Sequence, residues 1–234
     1  MFRDRVVVIT GGCHGIGLAT ARAFRREGAE TFVIDTDPRA DFTGDVGDRE
    51  TLERFADAVK TRFGLADCLV NNAPPPMCGI DSCSYEEFER ALRIGVTAPF
   101  YLTKLLLPLF RDGAAVVNIS SSRDRQSQPM TESYTAAKGG ISALTHAMAV
   151  SLGPKIRVNS ISPGWIDTEY RTYDGPDAAQ QPAGRVGNPD DIAEAVLFLC
   201  SEKAGFITGE NLCVDGGMTR LMVYHGDHGW TLER

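Results

Sequence analysis

The sequence contains no apolar run that approaches the length needed to cross a bilayer, which excludes a helical membrane span. No leader is expected either: MFRDRVVVITGG passes from a short apolar run straight into glycines, without the longer core and small-residue cleavage site of a signal peptide. Positive charge is scarce. Lysine and arginine number 24 against 31 aspartates and glutamates, and the net charge of −7 disfavours nucleic acid or anionic lipid as the main partner. No CxxC pair occurs among Cys13, Cys68, Cys78, Cys83, Cys200 and Cys213, so these predict free thiols, packed as small hydrophobes, in a reducing cytoplasm. Internal repeats, low-complexity tracts and linkers are absent too. With 234 residues, one domain spanning 1–234 with one sizeable core is expected.

What is present is an alternation. Strand-like runs at 6–10, 31–35, 68–73, 115–120, 156–162 and 211–217 are separated by helical patterns at 16–28, 49–63, 84–93 continuing to 110, 134–152 and 189–202. Uncharged β-rich runs suit a sheet covered on both faces, and the alternation predicts parallel βαβ units with right-handed crossovers. Between Asp35 and Asp45 too few residues remain for a crossover helix, so a loop is expected there. The stretch 165–187 has no apolar period and reads as a substrate lid.

TGGCHGIG (10–17) follows the first strand and opens the first helix, where backbone N–H groups and the helix dipole can meet a dinucleotide pyrophosphate. Gly11, Gly15 and Gly17 carry no Cβ to block that approach. The turn as a whole, with Cys13, His14 and Ile16, is assigned to cofactor binding. Asp35 ends the second strand, where a carboxylate accepts from the adenosine ribose hydroxyls and repels a 2′-phosphate. That favours NAD over NADP, with Arg39 as the contrary feature. Tyr134 and Lys138 stand i and i+4 on one helical face, which Ile141, Leu144, Met148 and Leu152 would fix to the core. An ammonium beside a phenol favours the phenolate, giving a group that can exchange a proton with an alcohol or carbonyl.

In order along the chain, TGGCHGIG, Asp45–Val46, NNA (71–73), Ser121, YTAAK, PGWIDT (163–168) and ITGENLCVDGG (207–217) resemble the short-chain dehydrogenase/reductases of single-domain type, over essentially the whole length. The resemblance implies a single doubly wound, Rossmann-like parallel sheet in three α/β/α layers. It implies that Ser121 hydrogen-bonds the reacting oxygen, that Tyr134 is the general acid/base, and that Lys138 lowers the tyrosine pKa and holds the nicotinamide ribose. Asp45 and Val46 would flank the adenine. Asn72 and Ala73 would lie against the cofactor, with Pro163, Gly164, Ile166 and Thr168 around its nicotinamide end. The implied partners are a small-molecule alcohol or carbonyl substrate and copies of the same chain, as homodimer or homotetramer, with 218–234 as a docking tail.

Two departures stand out. Gly95 occupies the position of the family's proton-relay asparagine, where a glycine would leave room for a water, and Pro74 replaces the glycine of NNAG. Arg123 and Arg125 suit either an anionic substrate or a surface salt bridge. His225, Asp227 and His228 cluster without a second group, and no metal is assigned to them. The expected activity is interconversion of a secondary alcohol and a ketone with NAD(H). Its rivals are a non-catalytic NAD-sensing module, suggested by Gly95, and a 3-oxoacyl carrier-protein reductase using NADPH, against which Asp35 and the acidic charge both weigh.

Overall fold

The computed structural model describes residues 1–229 and Thr231. Strands β1 (Val6–Thr10), β2 (Glu30–Asp35), β3 (Phe42–Thr43), β4 (Ala66–Asn71), β5 (Phe110–Ile119), β6 (Ile156–Pro163) and β7 (Asn211–Val214) pair in parallel in the order 3-2-1-4-5-6-7. Helices α1 (Gly15–Arg26), α2 (Arg49–Phe63), α3 (Tyr85–Leu92), α4 (Ala98–Leu106), α5 (Glu132–Leu152), α6 (Gly175–Ala179) and α7 (Pro189–Cys200) connect them. The doubly wound α/β sheet read from the sequence is present.

Alternate residues of the strands serve opposite faces. Val7, Ile9, Val70 and Val117 cluster with Phe24 of α1 and Ile192 and Val196 of α7. Val8, Leu69, Val116 and Val158 cluster with Phe55 of α2, Leu102 of α4 and Met148 of α5. Each such buried aliphatic or aromatic side chain contributes about 1.5–3 kcal/mol, and burial on both faces explains why the strands read as continuous apolar runs. On α5, Ile141 and Met148 are buried and Leu144 and Leu152 pack partly buried against the same core, as their spacing predicts. The chain leaves β1 toward β2 and β3, then returns to lay β4 on the other side of β1. That reversal opens a crevice at the C-terminal ends of the central strands.

Four expectations change. The segment between Asp35 and Asp45 is a loop that also carries β3, held to β2 by the register Ile34↔Phe42. The helical pattern from 84 toward 110 is broken by a π turn at Arg93–Thr97, and β5 already begins at Phe110. The lid segment 165–187 contains α6, and its base is closed by Asp167 N–H donating to Gly187 O (2.9 Å) and Gly187 N–H to Trp165 O (3.1 Å). Finally, Cys78 and Cys83 are not free thiols but form a disulfide. The Cys83 and Ser82 N–H groups both donate to Gly79 O, and this turn brings the two Cα atoms to 5.1 Å. The other four cysteines are free, and the thiol argument for a reducing compartment loses its force. Among the described residues no helix is long and apolar enough to cross a membrane. The expected docking tail, 218–234, lies partly outside the described residues, as does the side chain of His228.

Candidate active site

A cleft of about 800 Å³ lies over the C-terminal ends of β1, β2, β4, β5 and β6. Its floor at β1 is the glycine turn. Gly11 has φ +67°, and a Cβ there would stand 2.8 Å from Ala73 Cα, so only glycine fits the close approach. Asn72 braces the turn, its Nδ2 donating to Thr10 O (3.1 Å) and Gly11 O (2.7 Å). Helix α1 starts there with no side-chain cap and no acidic residue in its first turn. Its first N–H groups and the positive end of its dipole therefore face the cleft, a cradle that fits a pyrophosphate.

Asp35 is fixed at the neighbouring wall by two backbone donors, Cys13 N–H to Oδ2 (2.9 Å) and Asp37 N–H to Oδ1 (3.1 Å). Arg39 is turned away from that role. Its guanidinium forks onto Asp37 at 2.9 and 2.7 Å, and these bonds hold the Asp37 carboxyl well below the usual range. At the far end Asp45 accepts from Gly47 N–H (2.8 Å) and from Arg90 (2.7 Å). Burial works against its charge, yet Arg90 and the backbone donor keep its pKa lowered.

The opposite wall carries the residues to which the sequence assigns the proton chemistry. Ser121 follows β5, and α5 presents Tyr134 and Lys138 one turn apart. Lys138 is 3% exposed, its Nζ donates to Ile119 O (2.7 Å) and lies 5.4 Å from the Tyr134 ring centroid. Burial pushes the Lys138 pKa down to about 8. Burial also pushes the half-buried Tyr134 phenol up, opposed by the Ser121 hydroxyl and the Arg123 guanidinium. This differs from the expected depression of the tyrosine by the lysine: desolvation outweighs charge at both groups, and Arg123 is the cation that opposes it. The relay position is filled as well. A Cβ on Gly95 would stand 2.7 Å from Ala137 Cβ and 3.2 Å from Pro75 Cγ, so the space expected for a side chain or a water belongs to those two residues.

The family model described as enoyl-(acyl carrier protein) reductase matches residues 11–219. An uncharacterized oxidoreductase of Thermotoga maritima is 41% identical, covering 96% of this chain and 99% of that protein. Among solved structures, a SCOR enzyme from Clostridium thermocellum has a TM-score of 0.91 and 42% identity over 99% of both chains. A short-chain dehydrogenase/reductase from Brucella melitensis, a glucose/ribitol dehydrogenase by its description, has a TM-score of 0.87 and 31% identity over 95% of this chain and 98% of that one. The chain belongs to the short-chain dehydrogenase/reductase family. It is therefore an oxidoreductase of a family that uses NAD(P)(H).

For a short-chain dehydrogenase/reductase the sequence located the cleft well. Every residue assigned to catalysis or cofactor lines it except Cys13 and Gly17. The Cys13 side chain packs in the core and only its N–H serves the site, through Asp35. Gly17 is required by packing, since a Cβ would fall 2.1 Å from Gly11 O and 2.5 Å from Asn72 Nδ2. Sequence reasoning missed Arg90, Ile94 and the wall made by Ile34, while the prolines that follow NNA, Pro74–Pro76, line the cleft as well. Arg90 reaches Asp45 across 45 residues of chain, a pairing no local pattern announces. Arg125 points to Asp124, at 3.8 Å, which is the salt-bridge reading of that residue. Among the described residues the gathering of possible metal ligands is Cys78, Cys83 and Glu87, where the disulfide occupies both sulfurs.

Proposed function

We propose that this enzyme interconverts a secondary alcohol and a ketone with NAD(H), using Ser121, Tyr134 and Lys138. The observation that carries the reading is that these three side chains and the Asp35 carboxylate line one cleft. When bound, the nicotinamide supplies the hydride chemistry. Ser121 Oγ accepts from Arg123 N–H (3.2 Å), which leaves its own proton to donate to the substrate oxygen. Tyr134, kept as a neutral phenol by burial, gives its proton to that oxygen in reduction and takes one back in oxidation. Lys138, anchored on Ile119 O, fixes the nicotinamide-ribose end of the cleft.

Asp35 favours NAD because a ribose 2′-phosphate beside it would be repelled, while Arg39, the counter-charge it would need, is held by Asp37. An alcohol substrate class agrees with the Brucella relative, a glucose/ribitol dehydrogenase. The whole of 1–234 acts as one domain, with 165–187 as the lid over the substrate. A homodimer or homotetramer, which sedimentation velocity reads directly, accounts for the exposed Phe100, Val150, Phe198 and Phe206. The cytoplasmic setting rests on the NAD(H) requirement rather than on the cysteines.

Tyr134→Phe is expected to reduce turnover at least about a hundred-fold while NADH affinity stays within a few-fold, read by steady-state kinetics and calorimetry. Wild-type turnover in that variant sinks the assignment. The filled position at Gly95 favours one second reading, a non-catalytic NAD-sensing role. Wild-type turnover on any alcohol or ketone of a broad panel excludes it. A 3-oxoacyl reductase is not favoured, given Asp35 and the net charge of −7.

A further inference from the structure

Arg123 stands two residues beyond Ser121, and its guanidinium carbon lies 5.8 Å from the centroid of the Tyr134 ring. It is half-exposed, and both of its side-chain partners are neutral. One terminal nitrogen meets Met77 Sδ at 3.9 Å, and the other donates to the Gln128 amide oxygen. Among the described residues no carboxylate lies within ion-pair distance of it. Other arginines around the cleft are neutralised: Arg39 by Asp37, Arg90 by Asp45, Arg171 by Asp167 and Glu169, and Arg125 by the buried Asp124. Met77 follows the Pro74–Pro76 wall in sequence, and the fork stands at the edge of the cleft, against the ring of Tyr134, which lines it. A planar fork of one net charge, held only by an amide oxygen and a thioether, matches a carboxylate monoanion. A phosphate dianion would call for a second cation at the fork, where Arg125 is paired with Asp124, while Lys138 is held on Ile119 O and assigned to the nicotinamide ribose.

Resting on the activity proposed above, we infer that the substrate carries a carboxylate, which takes the Gln128 place on the Arg123 fork while its hydroxyl or ketone oxygen meets Ser121 and Tyr134. The enzyme is then a dehydrogenase of hydroxy acids, with Arg123 as the residue that selects them.

The test has a kinetic arm and a binding arm. In the first, 3-hydroxybutyrate and 4-hydroxypentanoate are compared with their methyl esters as substrates of the wild type, Arg123→Gln and Arg123→Lys. The expected acid-over-ester ratio of kcat/KM is roughly ten- to a hundred-fold in the wild type, falls toward one in Arg123→Gln through a raised KM for the acids, and is partly restored in Arg123→Lys. In the second arm, butyrate and cyclohexanecarboxylate, which cannot react at a carbonyl, and their amides are titrated by calorimetry into protein saturated with NADH. The acids are expected to bind at least about ten-fold tighter than the amides, and Arg123→Gln to erase the difference. Turnover without acid preference, or an acid preference that survives in Arg123→Gln, overturns the inference and leaves the proposed activity standing. Selective acid binding with no turnover overturns the proposed activity and leaves the carboxylate site standing. Neither binding preference nor turnover overturns both.

Discussion

An ammonium taken out of water gives up its proton more readily, and Lys138 is the residue where this governs behaviour. Its ordinary pKa of 10.5 falls to about 8 in the folded protein. Below about pH 8 both folded and unfolded chains carry the proton, and the cost of burying it is full and constant. Between about 8 and 10.5 the unfolded chain still binds the proton that the folded chain has released, so stability rises with pH across that window. Lys138→Met removes the group and with it that slope. The stability difference between variant and wild type, followed by urea unfolding from pH 7 to 10.5, is expected to shrink by about 3 kcal/mol. Parallel pH–stability curves for the two proteins contradict the buried-ammonium account. The same desolvation raises the Tyr134 phenol above its ordinary pKa, against the depression expected from its spacing to Lys138.

The π turn at Arg93–Thr97 shows what an element can do that its residues cannot signal singly. It joins α3 to α4 and buries Ile94 and Gly95 while Gly95 packs directly on Ala137 of α5. Restoring the family's asparagine by Gly95→Asn therefore inserts atoms where Ala137 and Pro75 already stand. A loss of about 1–3 kcal/mol and no gain in kcat are expected, read by thermal unfolding and steady-state rates. A stable variant with faster turnover would mean that the site can open and that a relay had only been lacking its side chain. The π turn was invisible in the sequence because widening one helical turn leaves no mark on composition or apolar period. Strand β1 was legible to the residue because all five of its side chains are buried and no polar position interrupts the run. β3 was not, since it is two residues long at the sheet edge and its partners come from β2. Likewise the disulfide spans a separation of five, set by the turn at Gly79, and a search for CxxC spacing passes over it. The lining of the cleft was legible where a local motif carries it, as at Gly11, Asp35 and Tyr134. It was not where it rests on long-range pairs such as Asp45 with Arg90.

Across the whole molecule the cleft draws on both halves of the sheet: Gly11 and Asp35 follow β1 and β2, while Ser121 and Pro163 belong to the ends of β5 and β6. A dinucleotide spanning these walls would tie the two halves together in the folded state and would have no such site in the unfolded chain. Its binding must therefore raise the unfolding transition by mass action, by about 2.7 kcal/mol when NADH is present at a hundred times its Kd. NADPH at the same concentration is expected to stabilise much less, because its 2′-phosphate meets the Asp35 carboxylate and Arg39 is already paired with Asp37. Asp35→Ser removes the repulsion and should narrow the gap between the two nucleotides from both sides, weakening NADH and strengthening NADPH. Scanning calorimetry of both proteins with each reduced nucleotide reads all four cases. Greater stabilisation of the wild type by NADPH than by NADH would show that the charge at the end of β2 does not set cofactor choice, and that Arg39 leaves Asp37 when a phosphate arrives.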